Sequence, residues 1–512
     1  MNGQPTSATK LCPDTVESVT AEAREAFEAL LSFCLEHDGT FWDGEKCLLS
    51  RVFALGCILV RLLLASRHLR LNLEPYLALE GYRLGATYAE RTLKTAFGVI
   101  TYGRVHLIRE GGGGGFHPLD VVLGLTRDGF SPWMVQFVTR LATRMSYGAS
   151  RLICRAALGW SPSTEAIEHL VLGLGRQAAP FMERQAPPLN DGEVLVIEVD
   201  GKCPPTATEA ELSKRRGKRG HSRGCPCGCQ RHRGKAKRRG RGSKRRRKKG
   251  DKSKNGKEVT VVVMYTLRRG DDGQLHGPLN KRIWASFGGR KAAAVWARAE
   301  ATRRGFGPET TKTIQVVVDG AKGLKENLER QFPGAVFTVD VCHVVEKLWE
   351  VGHRFHAEGS AELKAQVEEW KELVYQGNGA KLVERLQEIG KQVPPRGPGT
   401  KGKRAALKKL IGSLEPRLGM MRYDEWMKQD LVIASGQVEG AVRHVVGERM
   451  DCAGMRWIPQ RAEALLHLRC IELNGDWDQF IGWAFQGYQE QLQKRETVQI
   501  RTDDPMKLAR AA

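Results

Sequence analysis

Residues 313–343 read TIQVVVDGAKGLKENLERQFPGAVFTVDVCH, and this stretch decides the fold class. Two apolar, β-branched runs, IQVVV and AVFTV, flank the segment GLKENLERQF, whose apolar residues recur at helical spacing. This order predicts two strands joined by a crossover helix, as in α/β proteins. Each apolar run ends on an aspartate, first Asp319 and then Asp340, and either carboxylate could carry chemistry.

The sequence before this stretch predicts three further strands and a helix. We expect strands at EVLVIEV (193–199), EVTVVVMYTL (258–267) and KRIWASF (281–287), followed by a helix at RKAAAVWARAEATRR (290–304). Three strands and then alternating helices and strands predict a mixed sheet covered by helices. This is the order of a ribonuclease H-like fold, in which the first strand is central and the fourth lies beside it.

The sequence predicts five segments. Residues 1–185 form a mainly helical N-terminal DNA-binding region, with helices over residues 20–95 and a strand or ribbon at 97–110. The sheet core begins in residues 190–354, a helical insertion covers 355–430, residues 431–490 complete the core with C-terminal helices, and 491–512 are a tail. The loop KQVPPRGPGTKGKR (391–404) divides the insertion.

A candidate helix-turn-helix lies at residues 146–177. Two short amphipathic helices are separated near Gly159, with Ser161 as a candidate N-cap and Pro162 at the first helical position. The second helix could enter a major groove of DNA. An ordinary helical hairpin explains the same pattern.

The positive charge of the chain is concentrated in one segment. Between Lys214 and Lys257 there are 22 Lys or Arg residues and one Asp, so this segment carries +21 of the net charge of +23 and the rest carries +2. Such a segment cannot bury a core, and we expect it to bind DNA without sequence preference. Its candidate DNA-binding residues are Arg215, Arg216, Lys237, Arg238, Arg239, Lys244, Arg245, Arg246, Arg247, Lys248 and Lys249.

The same segment contains a group of candidate zinc ligands. Cys225, Cys227, Cys229 and His232 offer three thiolates and an imidazole, the donor types of four-ligand zinc sites. Their spacing is tighter than is usual for one tetrahedral site. A Zn²⁺ site and a loop with reduced thiols therefore both remain open.

Three carboxylates are candidates for a metal-dependent active site. Asp200 ends the strand VLVIEV, and Asp319 ends IQVVV. Glu439 lies on a helix that we expect Ser435 to cap at its start. The expected topology brings the two aspartates together, and Glu439 would complete the cluster. Because like charges repel, two Mg²⁺ ions would relieve the cluster and support in-line phosphodiester substitution. Taken singly, Asp-Gly is also a common turn, and Glu439 could pair with Arg443.

The stretches VVVDGAKGLKENLERQFPGAVFTVDVCHVVEKLW (316–349) and SGQVEGAVRHVVGERM (435–450) resemble insertion-sequence DDE transposases of the Mutator-like superfamily, most closely the ISKra-type group. The resemblance covers residues 190–470 and extends more loosely into the N-terminal half. It implies that Asp200, Asp319 and Glu439 are the metal-binding DDE triad, with two Mg²⁺ ions for which Mn²⁺ can substitute. It implies that Asp340 and His343 form an accessory motif.

The resemblance also implies a function in DNA transposition. Such a protein binds the terminal inverted repeats of a mobile element as a homo-oligomer, cuts double-stranded DNA and transfers the freed ends into target DNA. Two alternatives remain open at this point. One is a ribonuclease H-like nuclease without strand transfer, and the other is a domesticated, non-catalytic DNA-binding protein.

The sequence predicts a bacterial cytoplasmic, nucleoid-associated protein. Its first residues, MNGQPTSATK, do not have the pattern of a secretion signal, and Arg51 and Arg61 interrupt its most hydrophobic segment. A membrane span would need about 20 consecutive apolar residues. We therefore expect no membrane partner, and the proposed chemistry needs no small-molecule cofactor.

Overall fold

The computed structural model describes residues 14–77, 81–110, 115–212, 256–320, 323–452 and 454–497. The chain divides into two compact units. Unit 1 comprises Met1–Phe181 and Asp476–Ala512, and unit 2 comprises Met182–Gly475. This grouping differs from the expected segment 431–490, because the residues after Gly475 fall in unit 1.

Unit 1 begins with two long helices, α1 (Val16–Glu36) and α2 (Phe41–Leu69). Helix α2 is long and apolar enough to cross a membrane by length and composition alone. Arg61 lies within α2 and forms an ion pair of 2.5 Å with the buried Asp14. The helix therefore carries a paired charge inside its apolar sequence.

The region after α2 contains short strands and helices. The strands are β1 (Tyr82–Leu84), β2 (Ala89–Lys94), β3 (Val99–Arg104), β4 (Leu107–Arg109) and β5 (Gly115–Phe116). Strand β2 pairs with β3, and β4 lies between β1 and β5. The strands predicted within 97–110 are confirmed, whereas the helical prediction for 20–95 is wrong at β1 and β2. The remaining helices are α3 (Glu74–Leu77), α4 (Pro118–Val122), α5 (Pro132–Arg144), α6 (Tyr147–Leu158), α7 (Thr164–Glu183) and α18 (Trp477–Thr497).

Helices α6 and α7 correspond to the candidate helix-turn-helix. The break between them is confirmed, because α6 ends at Gly159, whose φ of 73° is in the left-handed region. The predicted cap is wrong by two residues. The Ser163 hydroxyl, rather than that of Ser161, accepts the Ala166 N–H at 3.1 Å, and α7 begins at Thr164.

Unit 2 contains a five-stranded mixed sheet. Its strands are β6 (Val194–Lys202), β7 (Val259–Arg269), β8 (Leu275–Ser286), β9 (Thr313–Val318) and β10 (Val336–Val339). They lie in the order β10-β9-β6-β7-β8. Strand β7 is antiparallel to β6 and β8, whereas β6, β9 and β10 run parallel. The α/β class, the central first strand and the fourth strand beside it are therefore as the sequence predicted.

Helices precede, separate and follow the parallel strands. They are α8 (Gly289–Arg303), α9 (Leu324–Gln331), α10 (Val341–Gly352), α11 (Ala361–Tyr375), α12 (Gly379–Gln392), α13 (Thr400–Leu414), α14 (Tyr423–Lys428), α15 (Gly436–Val442), α16 (Glu448–Met450) and α17 (Pro459–Asn474). A 3₁₀ turn spans Glu415–Met420 and a π turn spans Arg443–Gly447. The predicted loop 391–404 ends earlier than expected, because α13 already begins at Thr400.

Buried polar side chains hold the chain where it returns to the sheet after α14. Gln315 of β9 is fully buried, and its amide group accepts the Val432 N–H at 3.0 Å and donates to the Val432 carbonyl at 2.6 Å. Tyr423 of α14 donates its hydroxyl to the Val339 carbonyl of β10 at 2.8 Å. These bonds fix the segment that leads into α15.

Replacing Gln315 should loosen this returning segment. Gln315→Leu leaves both backbone groups of Val432 without their partner, and we expect the free energy of unfolding, measured by urea denaturation, to fall by about 2–4 kcal/mol. Gln387→Leu is the control, since Gln387 is exposed and its side chain donates to Glu415 at 3.3 Å. Equal effects of the two changes would contradict a special role for Gln315.

Candidate active site

Three aspartates follow neighbouring positions of the parallel strands. Val318 of β9 is in register with Val199 of β6 and with Val339 of β10. Asp200, Asp319 and Asp340 are the next residues of the three strands. Because the strands are parallel, these carboxylates lie at the same edge of the sheet.

Asp340 is completely buried and organises the backbone around it. It is the N-cap of α10, and one of its carboxylate oxygens accepts the Cys342 N–H at 2.7 Å. The other oxygen accepts a hydrogen bond from the hydroxyl of the buried Ser435. Ser435 was predicted to cap its own helix, but its side chain makes no capping bond there. Asp340 therefore joins the start of α10 to the start of α15.

His343 lies in the first turn of α10, between acidic side chains. Its Nδ1 atom is 3.7 Å from Oδ2 of Asp340, 3.9 Å from Oε1 of Glu439 and 4.0 Å from Oε2 of Glu346. These distances are too long for hydrogen bonds but short enough for strong electrostatic interaction. One donor atom each from Asp340, His343 and Glu439 lies within 4.8 Å of the other two.

Glu439 lies in the first turn of α15, with its side chain half exposed. Partial burial, and then the negative charge of Asp340, raise its pKa, while His343 acts in the opposite direction. The alternative pairing with Arg443 is not among the ion pairs of the described residues. The charged groups that act on Glu439 are therefore residues at the sheet edge and on α10, such as Asp340 and His343.

Asp200 interacts electrostatically with Asp319, His343 and Glu439. Its pKa is raised, first by burial and then by the charge of Asp319, although the Gly201 N–H donates to it at 2.6 Å and favours ionisation. His343 also lowers the pKa, and Glu439 responds to the charge of Asp200. Repulsion between Asp200 and Asp319 is the behaviour expected of carboxylates that share a site.

The structure thus brings all five residues predicted for the site to one sheet edge. Among the described residues, the group whose donor atoms all lie within 4.8 Å of one another is Asp340, His343 and Glu439. The predicted triad does not form such a group, and its members are linked by electrostatic effects, of Asp319 on Asp200 and of Asp200 on Glu439. Closely spaced carboxylates fit a divalent cation. Carboxylates suit Mg²⁺ and Mn²⁺, whereas the imidazole of His343 suits transition metals.

Glu198 is a buried member of the site that the sequence analysis missed. Its side chain accepts the Tyr265 hydroxyl at 2.7 Å and the backbone N–H of Val438 at 2.8 Å. Burial raises the pKa of Glu198 to about 7, and the charge of Asp340 adds to this. The available signal was a single acidic residue inside the apolar strand VLVIEV, two positions before Asp200 and so on the same face of the sheet.

The helix that carries Glu439 continues into the π turn Arg443–Gly447. A π turn leaves a backbone carbonyl without its usual α-helical partner, and such turns are frequent at functional sites. Arg469 of α17, which is 2% exposed, donates to the His444 carbonyl at 2.6 Å. This contact satisfies the irregular turn and anchors α15 on its far side.

The predicted zinc ligands and the predicted DNA-binding residues lie outside the described part of the chain. Cys225, Cys227, Cys229, His232 and the basic residues from Arg215 to Lys249 all fall within residues 213–255. Both predictions therefore stay predictions.

Comparison with known proteins does not add a family to these observations. No family model matches the chain, and no curated protein matches it. The site is therefore interpreted from its own geometry.

Replacing Glu198 tests whether its buried hydrogen bonds position Glu439. Glu198→Leu removes the acceptor for the Val438 N–H and the partner of Tyr265, and should lower the free energy of unfolding by about 2–4 kcal/mol. Glu198→Gln keeps an acceptor and a polar partner of the same shape. We expect calorimetric Mn²⁺ affinity to be retained in Glu198→Gln and weakened in Glu198→Leu. Equal affinities in both variants would exclude the positioning role.

Replacing Asp319 and Asp340 separately distinguishes the predicted triad from the group of Asp340, His343 and Glu439. Asn is as good an N-cap as Asp, so Asp340→Asn removes the charge while keeping the start of α10. We expect Asp319→Asn to weaken Mn²⁺ binding by about tenfold or more and Asp340→Asn to weaken it less. Titration calorimetry on both variants measures this order, and the reverse order would assign the metal to Asp340 instead.

Proposed function

We propose that this chain is a DDE transposase that binds the terminal inverted repeats of an insertion sequence and catalyses metal-dependent DNA cleavage and strand transfer. The proposal is supported by Asp200, Asp319 and Glu439, which are linked by the register of the parallel strands and by their electrostatic effects on one another. Two of these carboxylates follow neighbouring parallel strands, and the third comes from a helix more than a hundred residues further along the chain.

The sheet supports a ribonuclease H-like catalytic core. Three antiparallel strands in sequence are followed by two parallel strands on the other side of the first, which is the strand order expected of that fold. Helices α11 to α14 lie between the last strand and the helix of Glu439. They correspond to the helical insertion expected before the glutamate of a DDE transposase.

The donor set fits two divalent cations, Mg²⁺ or Mn²⁺. Asp200, Asp319 and Glu439 would hold them, since carboxylate oxygens are the preferred ligands of these ions. A pair of such ions supplies activation of an attacking oxygen and stabilisation of a leaving oxygen on phosphorus. Burial, and then repulsion by Asp319, raise the pKa of Asp200, and cationic charge in the cluster would relieve the repulsion.

The other residues of the site hold this cluster in place. Asp340 fixes α10 and Ser435 by hydrogen bonds, and Glu198 fixes the backbone beside Glu439. His343 places its Nδ1 atom 3.7 Å from Asp340 and 3.9 Å from Glu439, so a protonated imidazole would attract both carboxylates. Preorganised ligands of this kind reduce the cost of aligning the reacting groups.

The proposal includes the partners that transposition requires. Double-stranded DNA, as element ends and as target, is the substrate, and a homo-oligomer would hold two ends together in the bacterial cytoplasm. The basic segment within residues 213–255 would supply affinity without sequence preference, because neutralising phosphates releases counterions. The possible Zn²⁺ site in that segment belongs to the same proposal.

The triad is tested by alanine substitution in a defined reaction. Asp200→Ala, Asp319→Ala and Glu439→Ala should each reduce cleavage and strand transfer by at least about a hundredfold, because each removes a metal ligand. DNA affinity should be retained. The assay uses duplexes taken from the DNA that flanks the gene, with Mg²⁺ or Mn²⁺ and a plasmid target.

Glu384→Ala is the matched control, since Glu384 is an exposed acid on α12. Wild-type strand transfer by any of the three triad variants would reject the assignment. Cleavage without strand transfer from ends with a pre-formed 3′-hydroxyl would replace the transposase by a ribonuclease H-like nuclease.

A further inference from the structure

A basic groove lies beside the carboxylate cluster, between α10 and α13. It encloses about 810 Å³. Its walls include three basic residues, Lys347, Arg354 and Lys409, one acidic residue, Glu350, and the apolar residues Val351 and Leu410. Arg354 and Lys409 are exposed, and Lys347 is partly buried. The groove therefore presents cationic groups on both walls above an apolar floor.

The charge of α13 is unusual for this chain. Thr400–Leu414 contains five basic residues and no acidic residue, although the chain outside the basic segment at 214–257 carries a net charge of only +2. Among the described residues, Lys347, Arg354 and Lys409 form no ion pair within 4.0 Å. The groove thus carries three cations without ion pairs among the described residues, against one lining carboxylate, that of Glu350.

The electrostatics of Lys347 connect the groove to the carboxylates. Burial, and then the positive charge of Arg417 and of Lys409, lower the pKa of Lys347, whereas the charge of Asp319 raises it. Arg417 also donates to the Gly320 carbonyl at 3.1 Å, directly after Asp319. An anion in the groove would stabilise these cations and would lie next to Asp319.

One face of α10 runs from the carboxylates into the groove. Asp340, His343, Lys347 and Val351 are three or four residues apart, so they follow one face of the helix from the carboxylates into the groove. At 1.5 Å per residue, the distance from His343 to Val351 is about 12 Å. That length matches about three nucleotides at 3.4 Å per nucleotide along one strand.

We propose that the groove between α10 and α13 binds the phosphate backbone of the DNA strand that the carboxylate cluster acts on. Lys347 contacts the phosphates nearest Asp319, and Arg354 and Lys409 contact those further along the strand. The inference deepens the proposed function and rests on it for the identity of the strand. Its direct readout is DNA affinity, which does not require catalysis.

The test compares two charge-matched double variants of the full chain. Arg354→Glu with Lys409→Glu reverses both exposed cations of the groove. Lys364→Glu with Lys381→Glu makes the same change of charge at exposed positions of α11 and α12 outside the groove walls. Fluorescence anisotropy with a labelled single strand and a labelled duplex, in Ca²⁺ and at several salt concentrations, gives affinity and its salt dependence.

We expect the groove variant to bind DNA at least about tenfold more weakly than the control variant. The slope of log affinity against log salt should become shallower by about 0.7 for each phosphate of the single strand that the variant no longer neutralises, and by about 0.9 for each phosphate of the duplex. Calorimetric Mn²⁺ affinity should be the same in the two variants, which separates weaker DNA binding from damage to the carboxylate cluster.

Equal DNA affinity and equal salt slopes in the two variants would overturn the groove assignment. That result leaves the proposed function untouched if the wild-type chain performs strand transfer. Conversely, the groove variant could lose DNA affinity while the wild-type chain performs no strand transfer. That result would support the groove as a DNA-binding site and reject the proposal that the chain is a transposase. A groove-specific loss with RNA of the same sequence but not with DNA would overturn the choice of ligand.

Discussion

The hydrogen bond from the Val438 N–H to the Glu198 carboxylate closes the candidate active site. It joins residues 240 positions apart, and closing a flexible loop of that length would cost about 5 kcal/mol. One hydrogen bond contributes about 1 kcal/mol net, so it cannot hold Glu439 beside the sheet by itself. The bonds of Gln315 to Val432, and of Ser435 to Asp340, share this task.

The close spacing of the carboxylates in the site has an electrostatic cost, because their negative charges repel one another. Donor atoms of Asp340 and Glu439 lie within 4.8 Å, and at an effective dielectric constant of about 20 two full negative charges at that distance repel by about 3 kcal/mol before solvent screening. The helix N-terminus at Asp340 offsets about 1 kcal/mol or less. Because Asp200 and Asp319 add further repulsion, cationic charge should stabilise both the fold and the site. Lys347 of the basic groove, and Arg417 at the Gly320 carbonyl, supply part of this charge.

The parts of the site that follow from local sequence were predictable. Apolar runs of strand length predicted the five strands of the mixed sheet. The order of these strands predicted that Asp200 and Asp319 lie on neighbouring strands. Glu198 was missed because its side chain binds Val438, in a segment that returns to the sheet only after α10 to α14. No local sequence pattern predicts that contact. Strands β1 and β2 were missed because they directly follow a long region whose apolar residues recur at helical spacing. The place of α18 in unit 1 likewise depends on tertiary packing rather than on its own periodicity.

The backbone after each aspartate explains why Asp319 and Asp340 differ. Asp340 is followed directly by α10, so its carboxylate is used to cap that helix. Asp319 is followed by Gly320, whose φ of 76° is in the left-handed region, and the next helix begins only at Leu324 with Gly323 as its N-cap. A Cβ atom at Gly320 would lie 2.5 Å from the Arg417 side chain, so both the turn and this close approach require glycine. Asp340 therefore serves as a helix cap, whereas the N-cap of the helix that follows Asp319 is Gly323.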